Sequence, residues 1–183
     1  MPDKTVYIRF FAEVNPNTAK ALMTMVEQKL KEGATKFVLL ISSGGGNTYA
    51  GISAYNFMKG IPAQVETHNF GMANSVALVL FCAGAKRLSA PHATFLLHGV
   101  QANFPQGAAL EEDQLAERLK GLQLDTENIA GIVATTTRKP EADVLKDMRG
   151  RTALNPEQAM EYGLVHEIKE PLFEKGAELL SIQ

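Results

Sequence analysis

A triplet of glycines is the first feature of this sequence that could take part in catalysis. Gly44, Gly45 and Gly46 follow a short, almost continuously apolar run, residues 36–41, and precede a predicted helix. Because no side chain covers the backbone N–H groups of such a turn, it can bind an anion or a developing oxyanion. The sequence lacks the further lysine or the spaced glycines of nucleotide-phosphate loops, which argues against a nucleotide site. A purely structural turn is the alternative.

A serine and a histidine could supply a nucleophile and its base. Ser75 lies in a turn of small residues, Gly71–Ala77, that joins a predicted strand to a strongly apolar helix. Its hydroxyl is either a helix cap or a nucleophile that the helix dipole and the N–H of Val76 assist. His98 ends an apolar strand, at the carboxyl edge where open α/β sheets bind their ligands. The other histidines are interpreted as structural or surface residues: His68, His92 and His166.

Alternating strands and helices are predicted to position these groups, and the alternation indicates an α/β fold. The predicted strands are Thr5–Phe11, Lys36–Ile41, Ala63–Thr67, Lys86–Ser89, Thr94–Leu97 and Leu164–Ile168. Helices are predicted from Asn15 to Gly33, over Thr48–Lys59, after Met72, over Leu110–Arg138, from Pro140, from Asn155 and over Pro171–Leu180. The helix over Leu110–Arg138 is long enough to project from a compact body as an arm.

Composition restricts the class of protein. The chain has 183 residues, 45% of them apolar and 21% charged, which suits one domain with a core. Its 18 basic and 20 acidic side chains form no block of like charge, so we expect no nucleic-acid partner and no membrane association. The longest apolar run, Val76–Ala85, is well short of the ~20 residues that span a bilayer.

The single cysteine and the N-terminus bear on metals and compartment. Cys82 lies among apolar residues and leaves no partner for an internal disulfide, so we expect it in the core, and a zinc site would need more ligands. The first residues, Met1–Thr5, lead directly to a predicted strand without the apolar core of a signal peptide. We therefore expect a cytoplasmic protein with no metal site.

The order of these motifs resembles that of the proteolytic subunit of the Clp protease family. The matching segments are Phe37–Gly46, Ala50–Gly51, Ala54–Tyr55, Met58, Gly71–Ser75, Ala83–Arg87, Pro91, Leu97–His98 and Ala159–Val165. Together they extend over about residues 35–168. The resemblance implies a ClpP/crotonase-type spiral αβ domain, one domain over residues 1–183, with a projecting helical handle at about residues 99–138, which agrees with the predicted arm.

The resemblance also implies roles for particular residues. By it, Ser75 is the nucleophile, His98 is the general base, and the N–H groups of Gly46 and Val76 form the oxyanion hole. The residues that it implies for substrate binding are Gly45, Gly99 and Val100. It further implies a peptide or unfolded-protein substrate, no cofactor, and a homo-oligomeric ring. Exposed leucines on the long arm independently predict self-association.

One substitution departs from the family at the catalytic acid. Arg151 stands where the family carries the aspartate that orients its histidine, and a cation there opposes formation of the imidazolium ion. Asp147, one helical turn earlier, is the substitute that we predict as the third catalytic residue, with a solvated helix acid as the alternative. A backbone carbonyl, or a Ser-His dyad without an acid, are further alternatives.

A second departure concerns partners. The chain begins almost at its first predicted strand and has no room for the axial loops of the family. Docking to an AAA+ unfoldase of the usual kind is therefore disfavoured.

The sequence predicts a serine peptidase of the Clp type that works through a Ser-His based acyl-enzyme mechanism. The first alternative is a catalytically impaired, ring-forming scaffold or regulatory relative, in which Arg151 marks lost chemistry. A crotonase-type acyl-CoA enzyme is a second alternative. A Ser-Lys peptidase, with Lys146 or Lys139 as the base, is a third.

Overall fold

The computed structural model describes residues 4–102, 104, 106–107 and 109–183. In this part of the chain, eight strands form one sheet and six helices accompany it. The strands are β1 (Thr5–Phe10), β2 (Lys36–Ser43), β3 (Gln64–Asn74), β4 (Lys86–Ser89), β5 (Thr94–Leu96), β6 (Ala153–Leu154), β7 (Glu167–Ile168) and β8 (Glu178–Ile182). The helices are α1 (Pro16–Lys31), α2 (Thr48–Gly60), α3 (Val76–Phe81), α4 (Glu112–Thr137), α5 (Glu141–Arg149) and α6 (Pro156–Tyr162).

The sheet is mostly parallel. Its strands follow the order β6-β5-β3-β2-β1-β8, and β4 pairs with both β3 and β7. Every described strand pair is parallel except β5 with β6. Strand β2 is buried along almost its whole length, as predicted for a parallel strand that is covered on both faces. Alternating helices and a parallel sheet confirm the predicted α/β class.

Strand β3 is the branch point of the sheet, and it is longer than predicted. Its first half pairs with β4, and its second half, Met72–Asn74, pairs with β5. The sequence predicts an end at Thr67 and a turn of small residues from Gly71. In the structure, the buried Asn69 donates from Nδ2 to the Thr94 carbonyl (2.8 Å) and accepts from the Gly71 N–H (3.1 Å). Its amide is therefore satisfied inside the sheet.

The prediction of a closing helix over Pro171–Leu180 is wrong, because strand β8 forms the end of the chain. It pairs with β1, with Leu179 opposite Tyr7, and so covers an edge that would otherwise be unpaired. Gly176, at φ 83°, precedes the strand in a left-handed conformation that breaks a helix. The strand predicted over Leu164–Ile168 is reduced to the two residues of β7. In both segments, pairing with a strand that is distant in sequence determines the secondary structure: β8 pairs with β1, and β7 pairs with β4.

Helix α4 corresponds to the predicted arm. Its buried residues all lie in the C-terminal half: Ile129, Ala130, Val133 and Ala134. The N-terminal half is exposed, and its Leu115 and Leu119 side chains are 49% and 57% accessible. Residues 103, 105 and 108 of the predicted handle lie outside the described residues. Among the residues that are described, no helix combines the length and the apolar character needed to cross a membrane.

Close packing of α2 on α3 depends on Gly51. A Cβ atom added there would overlap the Val76 side chain, so we expect Gly51→Ala to lower the free energy of unfolding by about 1–3 kcal/mol. The matched control is Gly60→Ala at the end of α2, where an added Cβ meets nothing within 4 Å. We expect that control to be neutral or stabilising by up to about 1 kcal/mol in urea unfolding. Equal effects of the two variants would contradict the prediction.

Candidate active site

Ser75 lies in a strained turn between β3 and α3. Its backbone has φ 56° and ψ −131°, in a region that side-chain-bearing residues rarely adopt. The Ser75 side chain makes no capping hydrogen bond to α3, so the hydroxyl is not used as a helix cap. Its N–H donates to the Leu96 carbonyl at 2.9 Å, which ties the turn to the end of β5. A strained strand-to-helix turn that presents an unbonded hydroxyl is the geometry of a nucleophile elbow.

The glycine turn lies directly against this elbow. Gly45 and Gly46 have φ 101° and 145°, which side-chain-bearing residues avoid. A Cβ added to Gly45 would stand 2.7 Å from the Ser75 Cβ, and one added to Gly46 would overlap the Val14 carbonyl oxygen. Both glycines are therefore required for the close approach of three backbone segments.

Two backbone N–H groups near Ser75, those of Gly46 and Val76, have no hydrogen-bond acceptor among the described residues. The bridge between Val14 and Gly46 uses the Val14 N–H to the Gly45 carbonyl (2.8 Å) and the Asn47 N–H to the Val14 carbonyl (2.7 Å), which leaves out the Gly46 N–H. Val76 is the first residue of α3, so its N–H has no acceptor within the helix. These are the two donors that the resemblance implies.

His98 lies two residues beyond the end of β5, next to the Ser75 turn. Asn74 is paired with Leu96 in the parallel β3–β5 ladder, so the residues that follow the two strands emerge at the same edge of the sheet. The His98 Nδ1 atom is 2.8 Å from the Gly99 carbonyl oxygen. With the proton on Nδ1, the ring donates to that carbonyl, and its Nε2 lone pair is left free for a base. Within the described residues, the Ser75 hydroxyl and the His98 ring share no hydrogen bond, as is common before substrate binds.

Asp147 has a different partner from the one predicted. Its Oδ2 accepts a hydrogen bond from the Tyr162 hydroxyl at 2.7 Å, and its backbone carbonyl accepts from the N–H and the hydroxyl of Thr152. Burial raises the pKa of Tyr162, and the hydrogen bond to Asp147 raises it further. The Asp147 carboxylate thus joins α5 to α6, whereas the polar atom at hydrogen-bond distance from His98 Nδ1 is the Gly99 carbonyl oxygen. Every residue has a backbone carbonyl, so the residue types do not indicate which carbonyl binds a histidine. The sequence therefore predicts a backbone carbonyl only as an alternative to Asp147.

Arg151 is a charged residue one position beyond the last hydrogen bond that joins the end of β5 to the segment before β6. Strand β6 runs antiparallel to β5, with Ala153 opposite Leu96. The Leu97 N–H also donates to the Thr152 carbonyl at 2.9 Å, so His98 follows and Arg151 precedes this last hydrogen-bonded pair of residues. Arg151 itself is exposed, has φ 53°, and belongs to none of the ion pairs found in the described residues.

A cleft of about 1000 Å³ runs between the glycine turn and the N-terminal half of α4. Gly46 and Tyr49 line one side, and Val100, which was predicted to bind substrate, lines another. Gly45, also predicted to bind substrate, lines an adjoining depression of about 540 Å³ together with the exposed Met72. The cleft and the depression meet at Gly46 and Glu13, which line both.

The remaining candidate residues lie in structural roles. Buried His68 is 3.1 Å from the Lys169 carbonyl oxygen at Nε2, and burial lowers its pKa. The Lys139 ammonium, one candidate base of a Ser-Lys peptidase, lies 4.4 Å above the ring of Tyr162. Burial raises the pKa of the Cys82 thiol to about 11, which favours the uncharged thiol expected of a core residue. No group of three or more possible metal ligands occurs within the described part of the chain.

Comparisons with known proteins bear out the resemblance. The ATP-dependent Clp protease proteolytic subunit of Deinococcus radiodurans is 34% identical over 132 residues, which are 71% of this chain and 63% of that protein. The protein of the same description from Dehalococcoides mccartyi is 32% identical over 160 residues, 86% of this chain and 78% of that protein. A ClpP1 mutant from Listeria monocytogenes has the same fold, with a TM-score of 0.79 over 92% of both chains at 24% identity. This confirms the predicted ClpP/crotonase-type fold.

The comparison with family models covers nearly the whole chain. The Clp protease model matches residues 3–171, a range that contains the glycine turn, Ser75, His98 and Arg151 and stops before β8. The chain belongs to the Clp protease family.

Proposed function

We propose that this chain is a serine peptidase that cleaves peptides or unfolded protein segments at Ser75. The observation that carries the proposal is the strained turn of Ser75, whose hydroxyl caps no helix and whose neighbours Gly46 and Val76 offer free N–H groups. His98 at the end of the adjacent strand supplies a base. Membership of the Clp protease family and relatives described as proteolytic subunits support the same activity.

The proposed reaction proceeds through an acyl-enzyme. The Ser75 Oγ attacks the scissile carbonyl carbon while its proton passes to His98 Nε2, and the N–H groups of Gly46 and Val76 bind the resulting oxyanion. The carbon–nitrogen bond then breaks as His98 returns the proton to the leaving amine. Water repeats the sequence on the acyl-enzyme, which releases the acid product and restores the Ser75 hydroxyl.

The proposed orienting group for His98 is the Gly99 carbonyl. At 2.8 Å it fixes the proton on Nδ1, which is one of the two tasks of a triad carboxylate. It performs the second task, stabilising the imidazolium ion, less well because it carries only a partial charge. The adjacent cation Arg151 opposes that ion further, so we expect slow turnover. This is also the observation that favours the second candidate, a scaffold of the same fold without catalysis.

Assembly into a homo-oligomer is part of the proposal. Leu115 and Leu119, one turn apart on the same face of α4, are 49% and 57% accessible, and exposed apolar side chains of this kind are stabilised by burial against another subunit. Relatives described as proteolytic subunits of a larger protease are in keeping with such assembly.

The experiment that tests the proposal is covalent labelling with a fluorophosphonate probe, which reacts with activated serine hydroxyls. We expect one label per chain on Ser75, located by peptide mass spectrometry, and none in the Ser75→Ala variant. Exposed Ser53 on α2 provides the matched control, since Ser53→Ala should label as the parent does. Absence of Ser75 labelling in folded protein would contradict the peptidase and favour the scaffold.

A further inference from the structure

We propose that Arg151 makes this site selective for peptides that carry a carboxylate next to the scissile bond. The inference rests on the proposed peptidase function and deepens it by naming a substrate class. The carboxylate could belong to an acidic side chain or to the free C-terminus of a short peptide, since the chemistry of recognition is the same for both.

The first argument is the position of Arg151. The antiparallel β5–β6 ladder ends with the hydrogen bond from the Leu97 N–H to the Thr152 carbonyl, and His98 and Arg151 are the residues one position beyond this bond on the two segments. Its backbone is held there by its N–H to the Met148 carbonyl (3.2 Å) at the end of α5. A guanidinium on this turn is carried by a fixed backbone at the edge of the reaction centre.

The second argument is that the guanidinium has no anionic partner among the residues that the structure describes. The nearest carboxylate in sequence, Asp147, is bound by Tyr162. The ion pairs of the described residues all involve lysines, and Arg151 belongs to none of them: Lys4 or Lys29 with Glu32, Lys29 with Glu178, Lys36 with Glu66, and Lys86 with Glu167. An exposed, unpaired arginine can bind a carboxylate through two parallel hydrogen bonds, which a lysine cannot reproduce.

The third argument concerns catalysis. A cation beside His98 disfavours the imidazolium ion that forms when Ser75 attacks. A substrate carboxylate paired with Arg151 cancels much of that charge at the moment when His98 takes up its proton. Carboxylate substrates should therefore gain in kcat as well as in KM, whereas a guanidinium that served only as an anchor would change KM alone.

The test uses internally quenched peptides that differ at one residue beside the scissile bond, Glu against Gln, each made with a free and with an amidated C-terminus. We expect the parent protein to favour the Glu peptide by roughly tenfold in kcat/KM, about the value of one charge-assisted hydrogen bond. If the C-terminal carboxylate is the group recognised, the preference instead separates free from amidated peptides. Arg151→Gln should remove the preference and Arg151→Lys should keep only part of it.

A matched control and a second readout make the outcome decisive. Arg149→Gln removes another exposed arginine from the last turn of α5, two residues away, and should leave the preference intact. Binding of the same peptides, measured by fluorescence anisotropy in the Ser75→Ala background, reports the preference without requiring turnover. Equal binding and cleavage of the Glu and Gln peptides and of the free and amidated peptides, or a preference that survives Arg151→Gln, would overturn the inference. Labelling of Ser75 by the fluorophosphonate would in that case leave the peptidase proposal standing.

Discussion

Ser75→Ala and His98→Ala are each expected to lower kcat/KM for a short peptide by about 10²-fold, and the double variant should lose no more than either single one. In a complete triad, removal of the serine costs about 2 × 10⁶ and removal of the acid alone about 3 × 10⁴, so a site without an acid has about 10² left to lose. Non-additivity is expected because the proton that leaves Ser75 is the proton that His98 accepts. The measurement is steady-state hydrolysis of a quenched peptide by the four proteins.

Ser53→Ala is the control for this cycle, since Ser53 is exposed on α2 and should retain the parental rate. Additive losses would mean that Ser75 and His98 act on separate steps, which would contradict the proposed proton transfer. If Ser75→Ala kept the parental rate, the nucleophile would have to be another residue.

The order of the site motifs could be read from the sequence because each lies in a short segment. The glycine triplet after the apolar β2 and the small-residue turn around Ser75 are local patterns, and both belong to the turns observed. His98 follows a strand as predicted. Because β3 and β5 pair in parallel, the residues that follow the two strands, Ser75 and His98 among them, lie at the same edge of the sheet. The sequence predicts these features because the conformation of each depends mainly on residues that are neighbours in the chain.

Other features could not be read because they depend on pairing between distant segments. The sequence predicts a helix over Pro171–Leu180, yet Leu179 lies in β8 because β1 offers it a partner. Asn69 is typical of a turn, yet it remains inside β3 because the Thr94 carbonyl accepts from its amide. The carbonyl at His98 Nδ1 belongs to Gly99, and a backbone group has no signal in residue types.

The strand pairing gives information about Arg151 that the sequence motif alone does not contain. The sequence could say only that a cation stands where the family has an aspartate. The antiparallel β5–β6 pairing and the Leu97–Thr152 hydrogen bond bring the backbone before Thr152 close to the backbone after Leu97, so we expect a change of charge at Arg151 to act on His98. Asp147 is only one helical turn away, but its carboxylate faces Tyr162.

Arg151→Asp is expected to raise kcat for a neutral peptide by between about 10² and 10⁴. A carboxylate at this position can accept the hydrogen bond of the His98 Nδ1–H in place of the Gly99 carbonyl and can stabilise the imidazolium ion, and loss of such a carboxylate costs about 10⁴ in a complete triad. Steady-state hydrolysis of the Gln peptide measures the gain. The same variant should lose any preference for the Glu peptide, because the guanidinium that binds it is gone.

Two controls separate the contributions to this gain. Arg151→Asn removes the cation without adding a carboxylate, so it should give only the part of the increase that comes from relief of repulsion. Asp147→Asn should change kcat by no more than a few-fold, while weakening the contact with Tyr162 and lowering the free energy of unfolding by about 1 kcal/mol. Loss of turnover in Asp147→Asn, together with no gain in Arg151→Asp, would instead make Asp147 the third catalytic residue. If Arg151→Asp hydrolyses the peptide no faster than Ser75→Ala does, catalysis at Ser75 is refuted, and a non-catalytic scaffold is the remaining candidate function.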